Sequence, residues 1–406
     1  MRRRPAALAA ASLALAVSTS PIAAQTRVVK DAADPHLARA ERVLRAVPLV
    51  DGHNDLPWAI RTSETAPRDV RAYDLRQRTP GHTDLERLRR GMVGAQFWSV
   101  YIPHSAVREG AAKVQLEQID IAKQIFRMYP DAFQETLTPG EVMPAFRGGR
   151  IASVMGMEGG HAIENSLGAL RAFYDLGARY MTLTHSNNID WADSCCEAPQ
   201  HNGLTAFGKE VVREMNRLGM LVDISHVSPK TMHDALDVTE APVIFSHSSA
   251  RAVTDHPRNV PDDVLRRMPQ NGGVVMVTFV PSFINEEARR WSQLPAAQRQ
   301  GSEPRTTMAD AIAHIEHIRR VAGIDHVGIG GDFDGISTVP VGLEDVSTYP
   351  ALFAELSRRG WSESDLRKLA GENVLRAWTQ AEQVSQRLRR ERGPSTATIE
   401  QLDGRR

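Results

Sequence analysis

Eight short runs of hydrophobic residues recur along the chain, and segments with a helical spacing of apolar positions separate them. The runs predict strands at residues 49–53, 92–101, 151–157, 179–184, 220–225, 241–246, 273–279 and 326–330. Helical periodicity predicts helices at residues 28–45, 111–128, 167–176, 205–218, 229–236, 261–268, 307–321, 349–357 and 362–380. Apolar runs of this length are typical of strands that are buried on both faces of a parallel sheet.

The alternation predicts an α/β protein in which a (β/α)8 TIM barrel spans residues 25–383. The alternative is an open doubly wound sheet, which usually carries a glycine-rich phosphate loop after its first strand. No such loop follows the first predicted strand. The barrel is therefore the favoured prediction.

The two ends of the chain differ in composition from the predicted barrel. Three arginines at residues 2–4 precede an apolar stretch at residues 6–17, and small residues stand before Gln25. This order predicts a secretory signal peptide at residues 1–24 and an exported protein, periplasmic or secreted. The alternative, an uncleaved anchor helix, needs about 20 apolar residues. Residues 384–406 are charged and predict a flexible tail without a glycolipid-anchor signal, so no stable membrane anchor is expected.

Charge and cysteine content narrow the classes of partner. The 406 residues include 49 basic and 49 acidic ones, so charge offers no reason to expect a nucleic acid as partner. The two cysteines, Cys195 and Cys196, are neighbours in the chain. Adjacent cysteines can close only a small ring. The expectation is two free or loosely paired thiols in a loop, and a link to another subunit is the alternative.

Residues that can bind metals stand where the predicted strands end. Because the carboxyl ends of barrel strands meet at one face, we expect these side chains to converge there. They are His53 and Asp55 after the first strand, Glu158 after the third, His185, His226 and His247 after the next three, and Asp332 after the eighth. A general preference for polar residues at the border of the core would not explain why Glu158 stands at the end of the third strand.

The number of these residues favours a site for two metal ions. Three neutral imidazoles and two or more carboxylates exceed the four ligands of a closed structural zinc site. They fit two ions about 3.5–4 Å apart, bridged by a carboxylate and a hydroxide. Two such cations lower the pKa of the bridging water and polarise a carbonyl group. The sequence therefore predicts hydrolysis of an amide or an ester.

Seven motifs follow one another in the chain at residues 50–55 (VDGHND), 156–159 (GMEG), 183–187 (LTHSN), 223–228 (DISHVS), 245–250 (FSHSSA), 258–263 (RNVPDD) and 330–335 (GGDFDG). Together they resemble the renal (membrane) dipeptidase family, a di-zinc branch of the amidohydrolase-like barrels. The resemblance extends from about residue 49 to residue 382. It implies that His53 and Asp55 bind one Zn²⁺, that His226 and His247 bind the other, and that Glu158 bridges the two.

The resemblance also implies roles toward the substrate. His185 would contact the substrate carbonyl and stabilise the oxyanion, an electrophilic role. Arg258 would hold the terminal carboxylate of the substrate, for which a guanidinium group is suited. Asp332 would move protons between the bridging hydroxide and the leaving amine. Phe283 falls, by its spacing from Arg258, where mammalian members have a tyrosine near that carboxylate, so one substrate hydrogen bond is in doubt.

The predicted function is hydrolysis of the single peptide bond of a free dipeptide by a secreted di-zinc dipeptidase. The resemblance further implies tolerance of a D-residue on the carboxyl side, of dehydropeptides and of some β-lactam amides, and family members are often dimers. One alternative is a deacylase or lactonase, but such barrels often carry a carbamylated lysine, and no lysine ends the third or fourth strand. The other is a non-catalytic zinc-binding periplasmic protein, which would use a closed ligand set.

Overall fold

The computed structural model describes residues 34–299 and 301–404. In that part of the chain the strands pair in parallel, and they are β1 (Leu49–Asn54), β2 (Val93–Ser99), β3 (Phe133–Glu135), β4 (Ile151–Glu158), β5 (Ala178–Thr182), β6 (Leu221–Asp223), β7 (Val243–Phe245), β8 (Val274–Val277) and β9 (Val327–Ile329). The sheet order β2-β1-β9-β8-β7-β6-β5-β4 closes on itself because β2 also pairs with β4. Eight strands thus form a closed barrel, and the predicted (β/α)8 fold is confirmed.

Helices connect the strands and surround the barrel. The α-helices of the described residues are α1 (Pro35–Ala46), α2 (Leu56–Arg61), α3 (Leu85–Arg90), α4 (Ala111–Met128), α5 (Pro139–Arg147), α6 (Leu167–Asp175), α7 (Ala206–Leu218), α8 (Pro229–Val238), α9 (Asp262–Leu265), α10 (Met268–Asn271), α11 (Pro281–Ile284), α12 (Glu286–Gln293), α13 (Met308–Ala322), α14 (Tyr349–Arg358), α15 (Glu363–Arg367), α16 (Asn373–Glu391) and α17 (Ile399–Asp403). None of the helices described between residues 34 and 404 combines the length and the apolar character that crossing a bilayer requires.

The strand predictions hold at all eight positions, and the differences lie in short or irregular segments. β3 was missed because three residues are too few to form a recognisable pattern. It pairs only with the first three residues of β4. The helix predicted at residues 362–380 is divided into α15, a π-helical turn at Lys368–Glu372 and α16. The turn lies where Gly371 approaches β1, since a Cβ atom there would come within 2.5 Å of the Pro48 carbonyl oxygen.

The packed domain continues beyond the boundary predicted at residue 383. α16 runs on to Glu391, and its Ala381, Ser385 and Leu388 form a buried stripe at helical spacing. Ser385 Oγ also donates to the Arg217 carbonyl oxygen at 2.7 Å. Charged residues surround this stripe in the sequence, which explains why composition alone predicted a flexible tail. The predicted signal peptide at residues 1–24 and the start of the first predicted helix lie outside the described residues.

A separate apolar cluster fills the barrel and closes one of its ends. Phe97, Tyr180, Ile244 and Met276 belong to this cluster. Trp378 of α16 also belongs to it, and its ring lies 5.8 Å from that of Phe97. Because one end of the barrel is closed by packing, space for a ligand is left at the carboxyl ends of the strands.

Candidate active site

The closed barrel brings the seven predicted metal-site residues to one place. They come from the ends of six strands and the turns that follow: His53 and Asp55 (β1), Glu158 (β4), His185 (β5), His226 (β6), His247 (β7) and Asp332 (β9). Three groups of these side chains have ligand atoms that all lie within 4.8 Å of one another. Glu158 belongs to two of these groups and His53 to two.

Glu158 lies between the two halves of this constellation and turns one carboxylate oxygen to each. Its Oε2 atom lies 3.4 Å from His53 Nε2. Its Oε1 atom lies 3.0 Å from His226 Nε2, 3.4 Å from His247 Nε2 and 3.8 Å from His185 Nε2. A carboxylate that faces histidine nitrogens on two sides in this way has the geometry of a bridging metal ligand.

The first half of the constellation consists of His53 and two aspartates. His53 Nε2 lies 3.1 Å from Asp55 Oδ2 and 4.0 Å from Asp332 Oδ1. Asp332 has a φ of 65°, and His226 in the second half has a φ of 67°. Such left-handed backbone is uncommon outside glycine and is found at functional sites. Here it turns both side chains at the ends of their strands.

The nitrogen and oxygen atoms of these side chains are better placed to bind cations than to form hydrogen bonds with one another. His53 Nε2 and Asp55 Oδ1 are buried and lack a hydrogen-bond partner within the described chain. His226 Nε2 and His247 Nε2 lie only 2.8 Å apart. His247 Nδ1 lies 2.8 Å from Ser246 Oγ, whose own proton goes to Asp223 Oδ2 at 2.6 Å, so Nδ1 carries the proton and Nε2 has a free lone pair. Imidazoles and carboxylates so arranged are suitable ligands for divalent metals, which bind an imidazole in its neutral form.

Burial favours a raised pKa for both Glu158 and Asp332, but their neighbouring side chains give the two carboxyl groups different pKa values. For Glu158, burial alone would raise the pKa, but the positive charge of protonated His53 and the hydrogen bond from His226 outweigh it and hold the pKa well below its usual range. For Asp332, burial dominates and the nearby carboxylates add to it, so the pKa lies well above its usual range. Glu158 is therefore suited to remain an ionised ligand, and Asp332 is suited to accept and release a proton.

Two buried aspartates that the sequence interpretation did not single out hold the ligand-bearing turns. Asp51 Oδ1 accepts from His53 N at 3.1 Å and from Gly331 N at 2.9 Å, which ties β1 to β9. Asp223 Oδ1 accepts from Ser225 N at 3.1 Å and from Ser246 N at 2.9 Å, which ties β6 to β7. The sequence did contain a pattern that could have identified them, because both are acidic residues at the ends of apolar runs.

Tyr180 is a further supporting residue, and a glycine makes its position possible. Its hydroxyl lies 2.9 Å from His53 Nδ1 inside the barrel. The ring crosses β4 at Gly156, where a Cβ atom would come within 2.0 Å of the ring. Any side chain at residue 156 would therefore displace the tyrosine that orients His53. No local sequence pattern indicates this contact, because β4 and β5 meet only in the folded sheet.

A cavity of about 490 Å³ opens above the constellation and also contains the two predicted substrate residues, Arg258 and Phe283. Small-molecule sites commonly have volumes in this range. The remaining wall includes Trp58, Tyr101, His256, Val280, Cys196 and Ile336. His185 lies on the same wall with 23% of its side chain exposed, so it is accessible to a ligand.

Arg258 is buried beneath this cavity without an anionic partner. It is 3% exposed, and its guanidinium group donates to Ser248 Oγ at 3.3 Å and to the His247 carbonyl oxygen at 3.1 Å. Its Nε is buried with no partner among the described residues. Burial lowers its pKa to about 10, which still leaves it charged at neutral pH. A buried charge is costly unless it is paired, so the site is suited to an anionic group of a ligand.

The loop that contains both cysteines borders the site. Cys195 and Cys196 form a disulfide, so they are paired with each other and are not free thiols. Cys195 N donates to the His226 carbonyl oxygen at 2.7 Å, and Ser194 Oγ donates to the His185 carbonyl oxygen at 2.8 Å. These contacts fix the loop against the turns that carry His185 and His226. Cys196 of this loop lines the cavity.

Comparison with known proteins identifies the family. The sequence pattern of the membrane dipeptidase family (Peptidase family M19) matches residues 37–392. The chain belongs to this family. It is a metallo-dipeptidase, an enzyme that hydrolyses peptide bonds, and the family implies bound metal ions.

Solved structures of similar proteins agree with this membership. The probable dipeptidase PvdM from Pseudomonas aeruginosa is 25% identical with a TM-score of 0.75, over 86% of this chain and 99% of that one. A metallo peptidase from Rhodobacter sphaeroides, liganded with a phosphinate mimic of the dipeptide L-Ala-D-Ala, is 29% identical with a TM-score of 0.71, over 82% and 99% of the two chains. The dipeptidase AC is 28% identical with a TM-score of 0.71, over 82% and 98%.

The contact between Tyr180 and His53 leads to a prediction about metal affinity. Tyr180→Phe keeps the buried ring but removes the hydroxyl that orients His53. Loss of such a supporting hydrogen bond typically weakens metal binding about 10- to 100-fold. We expect a decrease of that size, measured by competition for zinc with a chromophoric chelator. Tyr174→Phe, outside the cavity, is the matched control, and equal affinities of the two variants would contradict the role of Tyr180.

Proposed function

We propose that the dipeptidase uses two zinc ions to hydrolyse the peptide bond of free dipeptides. The observation that carries this proposal is the combination of Glu158, facing donors on both sides, with the buried and unpaired Arg258 in one cavity. The first feature fits a pair of cations, and the second fits a carboxylate that lies a short distance from them. A free dipeptide has its terminal carboxylate one residue away from its only peptide bond.

Zinc is the metal that we propose for both positions, because imidazole and carboxylate ligands in this mixture suit it. His53 and Asp55 would hold one ion, His226 and His247 would hold the other, and Glu158 would be shared between them. Bound there, two zinc ions supply a nucleophilic water of lowered pKa and polarise the carbonyl group. The constellation exceeds the closed set of four ligands that a structural or storage site requires, which argues against a non-catalytic zinc-binding protein.

Three residues of the chain act on the substrate in this proposal. Arg258 binds the terminal carboxylate and so places the peptide bond over the metal ligands. His185 donates a hydrogen bond to the carbonyl oxygen as negative charge develops on it. Asp332 takes a proton from the attacking water and delivers it to the leaving amine. The pKa of Asp332, raised by burial, supports this last role.

The stereochemistry of the substrate is a further part of the proposal. The Rhodobacter sphaeroides metallo peptidase was solved with a mimic of L-Ala-D-Ala. We propose that the present enzyme likewise accepts a D-residue on the carboxyl side, and that dehydropeptides are substrates too. A deacylase or lactonase, the alternative activity, would need a buried arginine only if its substrate also carried a carboxylate.

Removal of metal tests the zinc assignment. Dialysis against a chelator should abolish hydrolysis of L-Ala-L-Ala and L-Ala-D-Ala, because the nucleophile depends on the bound ions. Adding back zinc should restore the rate, and elemental analysis should find two zinc ions per chain. Turnover that survives complete metal removal, or a single ion per active chain, would sink the two-zinc proposal.

A substitution of Arg258 tests how the substrate is held. Arg258→Met removes the charge and keeps an apolar stem of similar length. We expect KM for dipeptides to rise about 10-fold or more, since hydrogen bonds to charged groups contribute about 1.5–3 kcal/mol. The C-terminal amides of the same dipeptides are the matched comparison, and their kcat/KM should change little. An equal loss for acids and amides would remove Arg258 from the carboxylate site.

Export and dimer formation remain proposals that rest on the sequence and on the resemblance. We propose that residues 1–24 are removed on export and that the enzyme acts outside the cytoplasm as a homodimer. Amino-terminal sequencing of protein from the producing cell should begin at Gln25, and light scattering should give twice the mass of one chain. An intact amino terminus would contradict cleavage, and the mass of a single chain would contradict the dimer.

A further inference from the structure

The carboxylate end of the cavity contains an imidazole that the mechanism above does not use. His256 stands two residues before Arg258 in the segment between β7 and α9. It lines the same cavity as Arg258 and Phe283. Its ring lies 4.3 Å from the ring of Phe283 at an interplanar angle of 31°, and the Arg258 guanidinium carbon lies 5.3 Å from the centre of the Phe283 ring. The three side chains therefore form one corner of the cavity.

The hydrogen bonds of His256 determine which nitrogen carries the proton. Its Nδ1 accepts a hydrogen bond from the Arg258 backbone N–H at 3.2 Å. An amide N–H can only donate, so Nδ1 must be unprotonated and the neutral ring carries its proton on Nε2. In the part of the chain that the structure describes, the hydrogen bond at Nδ1 is the only one that the His256 ring makes. The corner thus has a donor N–H without an acceptor.

The surrounding charges keep this imidazole neutral. Burial, followed by the positive charges of Arg258, Arg289 and Arg251, lowers the pKa of His256 to about 4. At neutral pH the ring is therefore an uncharged hydrogen-bond donor next to a buried cation. Such a donor is complementary to an anion, and it does not add the repulsion that a second positive charge would bring.

A substrate carboxylate can accept one hydrogen bond more than the three N–H groups that Arg258 has free can donate. A carboxylate has two oxygens that accept about four hydrogen bonds. Two of the N–H groups of Arg258 are already used by Ser248 and by the His247 carbonyl oxygen. Phe283, on the other side of the corner, has no polar atom to contribute. His256 Nε2 is the remaining donor of this corner.

We propose that His256 binds the terminal carboxylate of the dipeptide through Nε2–H, together with Arg258, and takes the place of a hydroxyl that Phe283 lacks. This assignment rests on the proposed function, because it assumes a substrate with a free carboxylate. It adds a specificity residue to the site. The second nitrogen, Nδ1, only holds the turn that carries Arg258, and the experiment must separate the two effects.

Two substitutions of His256 separate binding from positioning. His256→Phe keeps a ring against Phe283 but removes both nitrogens. His256→Asn keeps an oxygen that can accept the backbone N–H two residues on, as asparagine does in turns, but it lacks the reach of Nε2. We expect both variants to raise KM for L-Ala-D-Ala and L-Ala-L-Ala about 10- to 100-fold, the effect of losing a hydrogen bond to a charged group. The kcat and the zinc content should stay near the wild-type values.

A rescue experiment completes the test. Phe283→Tyr adds a hydroxyl to the same corner, so combining it with His256→Phe should lower KM again toward the wild-type value. A KM for His256→Asn equal to that of the wild type would show a positioning role only and overturn the proposal. So would an unchanged KM for His256→Phe, or a double variant whose KM is no lower than that of His256→Phe.

The outcome for His256 is distinguishable from the outcome for the proposed function. If the wild-type zinc enzyme does not hydrolyse either dipeptide, the proposed function fails before any variant is compared. If the wild type turns over both dipeptides and the variants keep its KM, only the assignment of His256 is wrong. Far-ultraviolet circular dichroism of each variant verifies that loss of affinity does not reflect loss of folding.

Discussion

The structure depends on the burial of one carboxylate, Glu158, among three histidines. An ionised carboxylate inside a protein is costly unless opposite charges or hydrogen bonds compensate for its lost hydration. Here His53 faces one oxygen, and His226 and His247 face the other. The arrangement is suited to metal ions, because it places lone pairs of several ligands toward common points. The remainder of the barrel serves to keep these side chains together.

Support for this centre comes from buried groups that do not touch a substrate. Asp51 and Asp223 each accept hydrogen bonds from two backbone N–H groups, one at the end of their own strand or just after it and one just after the neighbouring strand. Such bonds hold the turns that follow the strands, where the ligands lie. Tyr180 reaches His53 from inside the barrel, and Gly156 leaves the space for its ring. The positions of the candidate metal ligands therefore depend on packing within the barrel as well as on the ligands themselves.

The substrate end of the cavity follows a different principle. Arg258 is buried, charged and without a carboxylate partner, so the free protein keeps a group whose charge is only partly compensated. A ligand carboxylate would compensate this charge. The free energy that burial of Arg258 costs in the free protein therefore favours binding of an anionic ligand. His256 and Phe283 complete this corner with one neutral donor and one apolar face. This corner and the candidate ligand set line one cavity of about 490 Å³.

The sequence alone predicted the fold class and the polar residues that converge at the strand ends, because both depend on local patterns. Apolar runs of strand length, each followed by a polar residue, predict a barrel and a face on which His53, Glu158 and His247 meet. Tertiary structure alone decided which oxygen of Glu158 faces which histidine, and that Asp51 and Tyr180 support the site. It also decided that the segment after residue 383 packs as helix, and that His256 lies beside Arg258 and Phe283. These features join residues that are distant in sequence or depend on which side of a turn faces the cavity, and no short-range periodicity records such contacts.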